Sequence, residues 1–324
     1  MLSAKDIRGV CVLIPTPCKP GHDGWDSTDS VDLEETARMI EALIQGGIGS
    51  IAACGTTGEC SALLWEEKRA FVDTIAQVNR RRVPLFAGAT ALGTKEVVRQ
   101  MQGLKDIGAD GAFVGLPLWQ TPTTENSIQF FADLSEAAPD MPVMVYSNAM
   151  FFKSAFPTVF WEGLAKKAPT VITTKVTYGI GTLLDDLRVA GHRINFMPGQ
   201  TNVYAAYKMA RRQITAIWST SAMMGPEPVL ALMRAIREDN EKRVDEIWED
   251  MRSVPSLFPP GAASQFAQYN AQVEKWRFNA SGYLRCGPSR APYRDLPENW
   301  KRQAELHGKG WAELAKKYSK NGTG

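Results

Sequence analysis

Residues 171–178 read VITTKVTY and set one lysine, Lys175, at the end of a short run of β-branched residues. Valine, isoleucine and threonine favour strands, and a run of this length fits a buried strand that ends at Lys175. A charged amine at the end of a buried strand is costly unless it is paired or loses its proton. A desolvated lysine with a lowered pKa is the nucleophile that forms imines with ketones. Lys175 is therefore a candidate Schiff-base residue, although a lysine at a strand end also commonly reaches solvent.

The run that contains Lys175 is the sixth of eight apolar, β-type runs that alternate with helical patterns. The predicted strands cover residues 10–14, 50–53, 84–88, 111–115, 143–146, 171–175, 194–197 and 214–218. The predicted helices between them cover residues 31–45, 65–81, 94–107, 124–137, 159–167, 183–189 and 203–210. Alternation of this length predicts an α/β fold, a (β/α)8 TIM barrel, better than a doubly wound sheet, because no GxGxxG motif follows an early strand.

The last third of the chain shows helical patterns only, over residues 241–251, 264–280 and 298–318. We predict a barrel with the catalytic site over residues 1–227 and a C-terminal helical extension, packed on the barrel, over residues 228–324. No linker marks the extension as an independent domain.

Composition narrows the function classes. The 324 residues are 44% hydrophobic and 22% charged, and 37 basic residues nearly balance 35 acidic ones without long runs of one sign. That balance argues against a nucleic-acid or membrane-surface partner. We predict a cytoplasmic protein, because the N-terminus is polar and no apolar run reaches membrane-spanning length. The five cysteines lack the spacing of metal ligands and are expected to be free thiols. With three histidines, a histidine metal site or a Ser-His-Asp triad is not expected.

In a barrel of this kind, active sites form where the strands end, so residues that follow each strand are the candidates. After the second strand, residues 55–59 read GTTGE, whose hydroxyls and backbone N–H groups suit a carboxylate. A turn of small residues is also often only a turn. Tyr146 ends the fifth strand and could relay a proton to or from a substrate oxygen, or could simply pack over the barrel.

The motifs taken together, in this order, resemble the pyruvate-dependent class I lyases typified by dihydrodipicolinate synthase and N-acetylneuraminate lyase. They are the PTP sequence at 15–17, the GTTGE turn at 55–59, Tyr146 and Lys175. The resemblance covers most of the chain, and it implies that Lys175 forms the imine and that Tyr146 is the acid/base.

The same resemblance assigns the turn to the pyruvate carboxylate. Thr57 and Gly55 would bind the carboxylate, and Thr56 would assist the proton transfers. The resemblance also implies a homotetramer and a reaction that needs no metal or organic cofactor beyond the covalent imine on Lys175.

Two departures from the synthases indicate a different second substrate. After the fourth strand Trp119 stands in a region where the synthases have a tyrosine, and residues 147–152, SNAMFF, lack the arginine that follows the catalytic tyrosine in those enzymes. These changes favour a pocket for a flat aromatic group. Together with Phe160-Trp161 and residues 266–293, they resemble the benzylidenepyruvate hydratase-aldolases of polycyclic aromatic degradation. That resemblance implies that Trp119, Asn148 and Asn270 line the aromatic and water-handling side of the pocket.

The ortho substituent of the aromatic substrate is predicted from the loop after the seventh strand, residues 198–202, PGQTN. A neutral loop with Gln200 at its centre removes repulsion against a second carboxylate and offers donors to it. This composition favours trans-o-carboxybenzylidenepyruvate, with the o-hydroxy compound close behind. Alternatively, the loop never touches substrate.

Other functions stay open at this point. Another pyruvate-dependent enzyme of the same family, a 2-keto-3-deoxy sugar acid aldolase or a dihydrodipicolinate synthase-like enzyme, would share the lysine and the tyrosine. A barrel that binds a keto acid without catalysis would share the fold. An isomerase acting on a phosphorylated ligand would need a glycine-rich phosphate loop after strands seven and eight, and residues 198–200 and 219–225 are only a thin version of it.

Overall fold

The computed structural model describes residues 1–177 and 179–320. Within these residues eight strands form one sheet in the order β7-β6-β5-β4-β3-β2-β1-β8. The strands are β1 Gly9–Leu13, β2 Ser50–Ala53, β3 Leu85–Gly88, β4 Gly111–Val114, β5 Val143–Ser147, β6 Val171–Val176, β7 Asn195–Met197 and β8 Ala216–Ser219.

The two ends of the sheet meet at the carboxyl side of β7. Gly199 forms a parallel bridge with Trp218, in which Gln200 N donates to Trp218 O at 3.0 Å and Trp218 N donates to Pro198 O at 3.1 Å. The pairs from β3 to β7 are all parallel. The strands are buried along almost their whole length, which is typical of parallel sheets covered on both faces. The predicted (β/α)8 barrel is confirmed.

The helices follow the strands as the alternation predicts. They are α1 Leu33–Gly46, α2 Trp65–Asn79, α3 Thr94–Asp106, α4 Thr124–Ala137, α5 Ala149–Phe152, α6 Thr158–Lys167, α7 Leu183–Ala190, α8 Val203–Ala210, α9 Glu227–Arg237, α10 Glu241–Arg252, α11 Phe266–Ser281 and α12 Glu298–Lys320.

Local sequence explains where several of these helices begin and end. Asp32 caps α1, since its carboxylate accepts from Glu35 N, and Gly47 ends the helix in the left-handed conformation at φ 94°. The hydroxyl of Thr123 caps α4 in the same way. Helix α2 ends two residues before the predicted position, because Arg80 and Arg81 both take positive φ. The four-residue helix α5 was not predicted.

The chain divides into two compact units, each assembled from several stretches. The first comprises Met1–Cys11, Gly49–Ala52 and Pro84–Trp218, and the second comprises Val12–Ile48, Ala53–Val83 and Ser219–Gly324. The predicted division into a barrel over residues 1–227 and a C-terminal extension over residues 228–324 stays a prediction. Residues 321–324 of that extension lie outside the described part of the chain.

In the first unit, buried aromatic rings fill the space beside β7. Phe160 and Trp161 lie edge to face with their centroids 4.9 Å apart, and Trp161 meets Phe196 at 5.1 Å. In the second unit, α11 and α12 pack against each other around Val273, Trp300 and Ala304. Each unit therefore has an apolar core of its own.

A partly buried hydrogen-bonded contact accompanies the core of the second unit. His307 on α12 donates through Nδ1 to Pro255 O at 2.7 Å and accepts at Nε2 from Arg277 Nη1 at 2.9 Å. Both contacts suit the neutral ring with its proton on Nδ1. Burial and the positive charge of Arg277 lower the pKa of His307 to about 3.

Among the described residues, no helix combines the length and the apolar character needed to cross a membrane.

Candidate active site

Lys175 and Tyr146 are neighbours on paired strands of the first unit. They face each other in the parallel register between β6 and β5, and their exposed fractions are 5% and 6%. The Lys175 Nζ atom lies 4.7 Å from the centroid of the Tyr146 ring. The β-branched run predicted from the sequence thus carries the amine, buried, to the carboxyl end of β6, where a keto acid could meet both side chains.

Trp218 on β8 is a third member of this group. Its ring centroid lies 3.7 Å from Lys175 Nζ, and its Nε1 donates to Val176 O at 2.7 Å. The indole ring therefore contacts the amine and is tied to the strand that carries it. Sequence reasoning missed Trp218, although its place at the end of the predicted eighth strand was the signal that could have found it.

A hydroxyl network fixes the backbone around Lys175. Ser147 Oγ donates to Lys175 O at 2.8 Å and lies 3.1 Å from Thr174 Oγ1. Thr177 Oγ1 donates in return to Ser147 O. These side-chain bonds join β5 and β6 beyond their ladder, so the lysine and the tyrosine keep a fixed relation to each other.

Aromatic rings orient Tyr146. Phe113 stacks on its ring with the centroids 4.7 Å apart, and Phe152 of α5 meets it edge to face at 5.1 Å. Gly115 leaves the room that Phe152 needs, because a Cβ there would lie 1.9 Å from the end of the Phe152 ring. Within residues 147–152, Phe152 is therefore a packing residue for the tyrosine.

Asn148 links α5 to the tyrosine. Its Oδ1 accepts from Met150 N at 3.1 Å and from Phe151 N at 3.2 Å, which caps α5. The same bonds direct Nδ2 toward Tyr146 Oη, 3.5 Å away, at the long limit of a hydrogen bond. An amide held in this orientation can donate to the phenol oxygen or to a water beside it.

The other predicted substrate contacts in this unit lie in loops. Trp119 follows β4 and is 86% exposed, so its indole ring stands in solvent. Gln200 follows β7, is partly buried and pairs through its backbone with Trp218. Their assignment to the aromatic end of the substrate stays a prediction.

The buried thiol of Cys11, on β1, lies near Lys175. Burial raises the pKa of Cys11 to about 11. A hydrogen bond with Ser50 and the positive charge of Lys175 act in the opposite direction but are smaller effects. The thiol is thus protonated near neutral pH and is not a competing nucleophile.

The turn at residues 55–59 belongs to the second unit. Glu59 N donates to Thr56 O at 2.9 Å and Cys60 N donates to Gly55 O at 3.2 Å, which closes the turn. Thr57 is 8% exposed, whereas Gly55 and Thr56 are partly exposed. Asn270, also in the second unit, lies near the start of α11 and is partly buried.

Within the described residues no group of three or more His, Cys, Asp or Glu side chains is arranged to hold a metal ion.

Comparison with known proteins places this arrangement in context. Residues 20–305 match the sequence pattern of the family described as "Dihydrodipicolinate synthetase family". A "Trans-O-hydroxybenzylidenepyruvate hydratase-aldolase" of Pseudomonas aeruginosa is 43% identical over 323 residues, which cover 98% of this chain and 96% of the relative. A "Trans-2'-carboxybenzalpyruvate hydratase-aldolase" of Nocardioides sp. (strain KP7) is 34% identical over 328 residues, with 98% and 96% covered.

One solved structure, described as "PhdJ bound to substrate intermediate", superimposes with a TM-score of 0.94 at 34% identity and covers 98% of this chain and 99% of its own. The likeness in sequence and in structure therefore extends over nearly the whole chain.

Proposed function

Because the chain belongs to the dihydrodipicolinate synthetase family, we propose that it is a pyruvate-dependent class I hydratase-aldolase. It would convert a trans-o-substituted benzylidenepyruvate and water into an aromatic aldehyde and pyruvate. The observation that carries this proposal is the buried pairing of Lys175 with Tyr146 across β6 and β5, with Nζ 4.7 Å from the phenol ring. The names of the full-length relatives support the substrate class.

The reaction would begin on Lys175. Its neutral amine condenses with the C2 ketone, water leaves, and the protonated imine draws electrons from the conjugated double bond. Water adds at C4 and a proton is taken up at C3. Loss of the C4 hydroxyl proton then breaks the C3–C4 bond, releases the aldehyde and leaves the electron pair in an enamine. Protonation of the enamine at C3 and hydrolysis of the imine release pyruvate and restore the amine.

Tyr146 would carry the protons in these steps. The phenol can give its proton to C3 after water has added, the phenolate so formed can accept the C4 hydroxyl proton, and the restored phenol can protonate the enamine at C3. Asn148, oriented by the start of α5, would hold the attacking water or the phenol oxygen. Thr56 would assist the proton transfers, while Thr57 and the N–H groups around Gly55 would bind the substrate carboxylate, as the family resemblance implies.

We propose that Trp119, Gln200 and Asn270 contact the aromatic group of the substrate. The ortho substituent of that group is either a carboxylate or a hydroxyl. The neutral loop around Gln200 favours a carboxylate. The relatives named for the o-hydroxy compound are 36% to 43% identical to this chain, and the relative named for the carboxy compound is 34% identical. The ratio of kcat/KM for the two substrates decides between them. If the carboxylate is preferred, Gln200→Glu should lower kcat/KM for that substrate selectively, because it brings a like charge to the pocket.

Borohydride reduction in the presence of pyruvate tests the imine. Mass spectrometry of peptides should locate the adduct on Lys175. Lys175→Ala should lose both the adduct and aldehyde release, whereas Lys167→Ala, an exposed lysine at the end of α6, should keep both. An adduct on another lysine would overturn the assignment. Pyruvate binding without any adduct would favour the inactive keto-acid-binding barrel, and faster turnover of a 2-keto-3-deoxy sugar acid would favour the sugar acid aldolase.

The cellular and quaternary setting belongs to the same proposal. We expect a cytoplasmic homotetramer that acts on small molecules, without a metal or organic cofactor. Light scattering at working concentration checks the tetramer, and a monomer peak would contradict it.

A further inference from the structure

A buried ionic cluster lies beside the 55–59 turn in the second unit and is not used by the proposed reaction. The carboxylate of Glu59 lies 2.5 Å from Lys275 Nζ and 2.6 Å from Arg290 Nη1. The exposed fractions of these three side chains are 0%, 1% and 2%. Burial of charged groups to this extent is costly unless each charge has a partner of opposite sign, as each has here.

Glu59 is the last residue of the turn and is held in an uncommon conformation. Its φ of 51° places it in the left-handed region, which residues with a side chain rarely occupy. Thr16 Oγ1 donates to Gly58 O at 2.7 Å, and a Cβ on Gly58 would come within 3.0 Å of the Cys54 backbone. The turn is thus closely packed, and the surroundings of Glu59 must hold it in place.

Arg290 supplies the largest part of that support. Its backbone N donates to Glu59 Oε1 at 2.8 Å, so the carboxylate is held through both oxygens. The rest of the guanidinium donates to Thr16 O, Pro17 O, Ser30 O and Ser30 Oγ at 2.7 to 3.2 Å. All five N–H donors of the guanidinium are used, and they join the segment after β1 to the turn after β2.

Lys275 joins α11 to the same carboxylate. Its Nζ also donates to Pro288 O at 2.8 Å. Burial lowers the pKa of Lys275, while the Glu59 carboxylate opposes that change and Arg290 reinforces it. An amine in this setting can give up its proton if the carboxylate is removed, so a neutral replacement of Glu59 does not leave two obligatory buried cations.

We propose that Glu59, clamped by Lys275 and Arg290, is a positioning residue that sets the geometry of the Thr56-Thr57 turn for the carboxylate of the keto acid. The inference rests on the proposed function, in which Thr57 and the N–H groups of the turn bind that carboxylate. It assigns to the C-terminal segment, through Lys275 and Arg290, a role in substrate recognition. Glu59 does not touch the substrate and acts only through the turn.

The chain offers a matched control in Glu35 on α1. Glu35 is also a buried carboxylate, 1% exposed, and it also pairs with two arginines, Arg38 at 2.5 Å and Arg285 at 3.0 Å. It therefore ties the C-terminal segment to α1 without contributing to the turn. Glu35→Gln reports what a loss of buried charge does to the fold, and Glu59→Gln reports that effect together with any effect on the turn.

The test measures the concentration of pyruvate that gives half-maximal borohydride trapping on Lys175, and the same quantity for acetone, which lacks a carboxylate. A charge-assisted hydrogen bond to a carboxylate corresponds to about tenfold or more in affinity. We expect Glu59→Gln to raise the pyruvate concentration for half-maximal trapping, the pyruvate value, about tenfold or more. The acetone concentration for half-maximal trapping, the acetone value, should stay within about twofold of the wild type. For the aromatic substrate KM should rise more than kcat falls. Glu35→Gln should leave both trapping values unchanged.

Two further variants keep the test decisive if Glu59→Gln folds poorly. Lys275→Met replaces the apolar part of the lysine side chain, removes only the ammonium and leaves Glu59 paired with Arg290, so it should fold and should raise the pyruvate value by a smaller factor. Lys275→Arg restores a cation and should recover part of the wild-type value.

The outcomes separate the two proposals. An unchanged pyruvate value in Glu59→Gln and Lys275→Met overturns the positioning role alone. A parallel rise for pyruvate and acetone also overturns it, because general loosening of the fold would then be the cause. Absence of trapping in the wild type overturns the proposed function and this inference with it.

Discussion

Substitution of Gly199 by alanine tests whether Trp218 is needed beside the lysine. A Cβ on Gly199 would lie 2.6 Å from Cζ2 and 2.9 Å from Cε2 of Trp218. Carbon atoms in contact are about 3.5 to 4.0 Å apart, so one of the two groups must move by about 1 Å. The backbone of residues 198–200 is held by two hydrogen bonds to Trp218, at 3.0 and 3.1 Å, so the indole ring is the part that yields.

The consequences follow from what the ring holds. A shift of about 1 Å breaks the 2.7 Å bond from Trp218 Nε1 to Val176 O, which costs about 1 kcal/mol, and the crowding adds about 1 to 3 kcal/mol. The unfolding free energy should therefore fall by about 2 to 4 kcal/mol. The ring that faces Lys175 Nζ at 3.7 Å moves as well, and a misplacement of about 1 Å in a catalytic group costs up to about a hundredfold in rate.

The assays are the rate of aldehyde release at saturating substrate, the rate of borohydride trapping with pyruvate and thermal unfolding. Gly181→Ala is the control, because nothing lies within 4 Å of a Cβ at that position and its φ is not positive. We expect turnover in Gly199→Ala to fall about ten- to a hundredfold below that control. A loss of stability with turnover equal to the control would refute the role of Trp218. Unchanged stability would refute the packing argument itself.

Three further predictions concern single side chains. Tyr146→Phe should keep pyruvate trapping but slow turnover about a hundredfold or more, and near wild-type turnover would move the proton transfers elsewhere. Trp119→Ala should raise KM for aromatic substrates while pyruvate trapping is unchanged, and an unaltered KM would leave this exposed ring without a role. His307, whose pKa is about 3, stays neutral in the folded protein, while in the unfolded chain it takes up a proton below the ordinary histidine pKa of 6.5. Stability should therefore fall as the pH falls from 6.5 toward 3, by up to about 1.4 kcal/mol per pH unit, and urea unfolding should show a shallower fall in His307→Gln, whereas equal slopes would contradict the assignment.

The sequence predicted much of the barrel because the information there is local. Helices α4 and α8 and strand β2 have the predicted bounds, since their apolar periods and flanking turn residues lie within one window of the chain. The end of β6 was predicted to within one residue for the same reason. Helix α5 was missed, because four residues show no helical period, and what starts the helix is the cap that Asn148 supplies.

Within the candidate site, the sequence alone was enough to predict a lysine and a tyrosine near the ends of neighbouring strands, because parallel strands bring their carboxyl ends to one side of the sheet. The contact of Trp218 with Lys175 was decided only by closure of the sheet between β7 and β8. Likewise, no sequence period connects residues 59, 275 and 290, and their ion pairs exist because the fold buries them together. Periodicity records which side chains face a core, whereas a buried charge finds its partner through distances that only the folded chain defines.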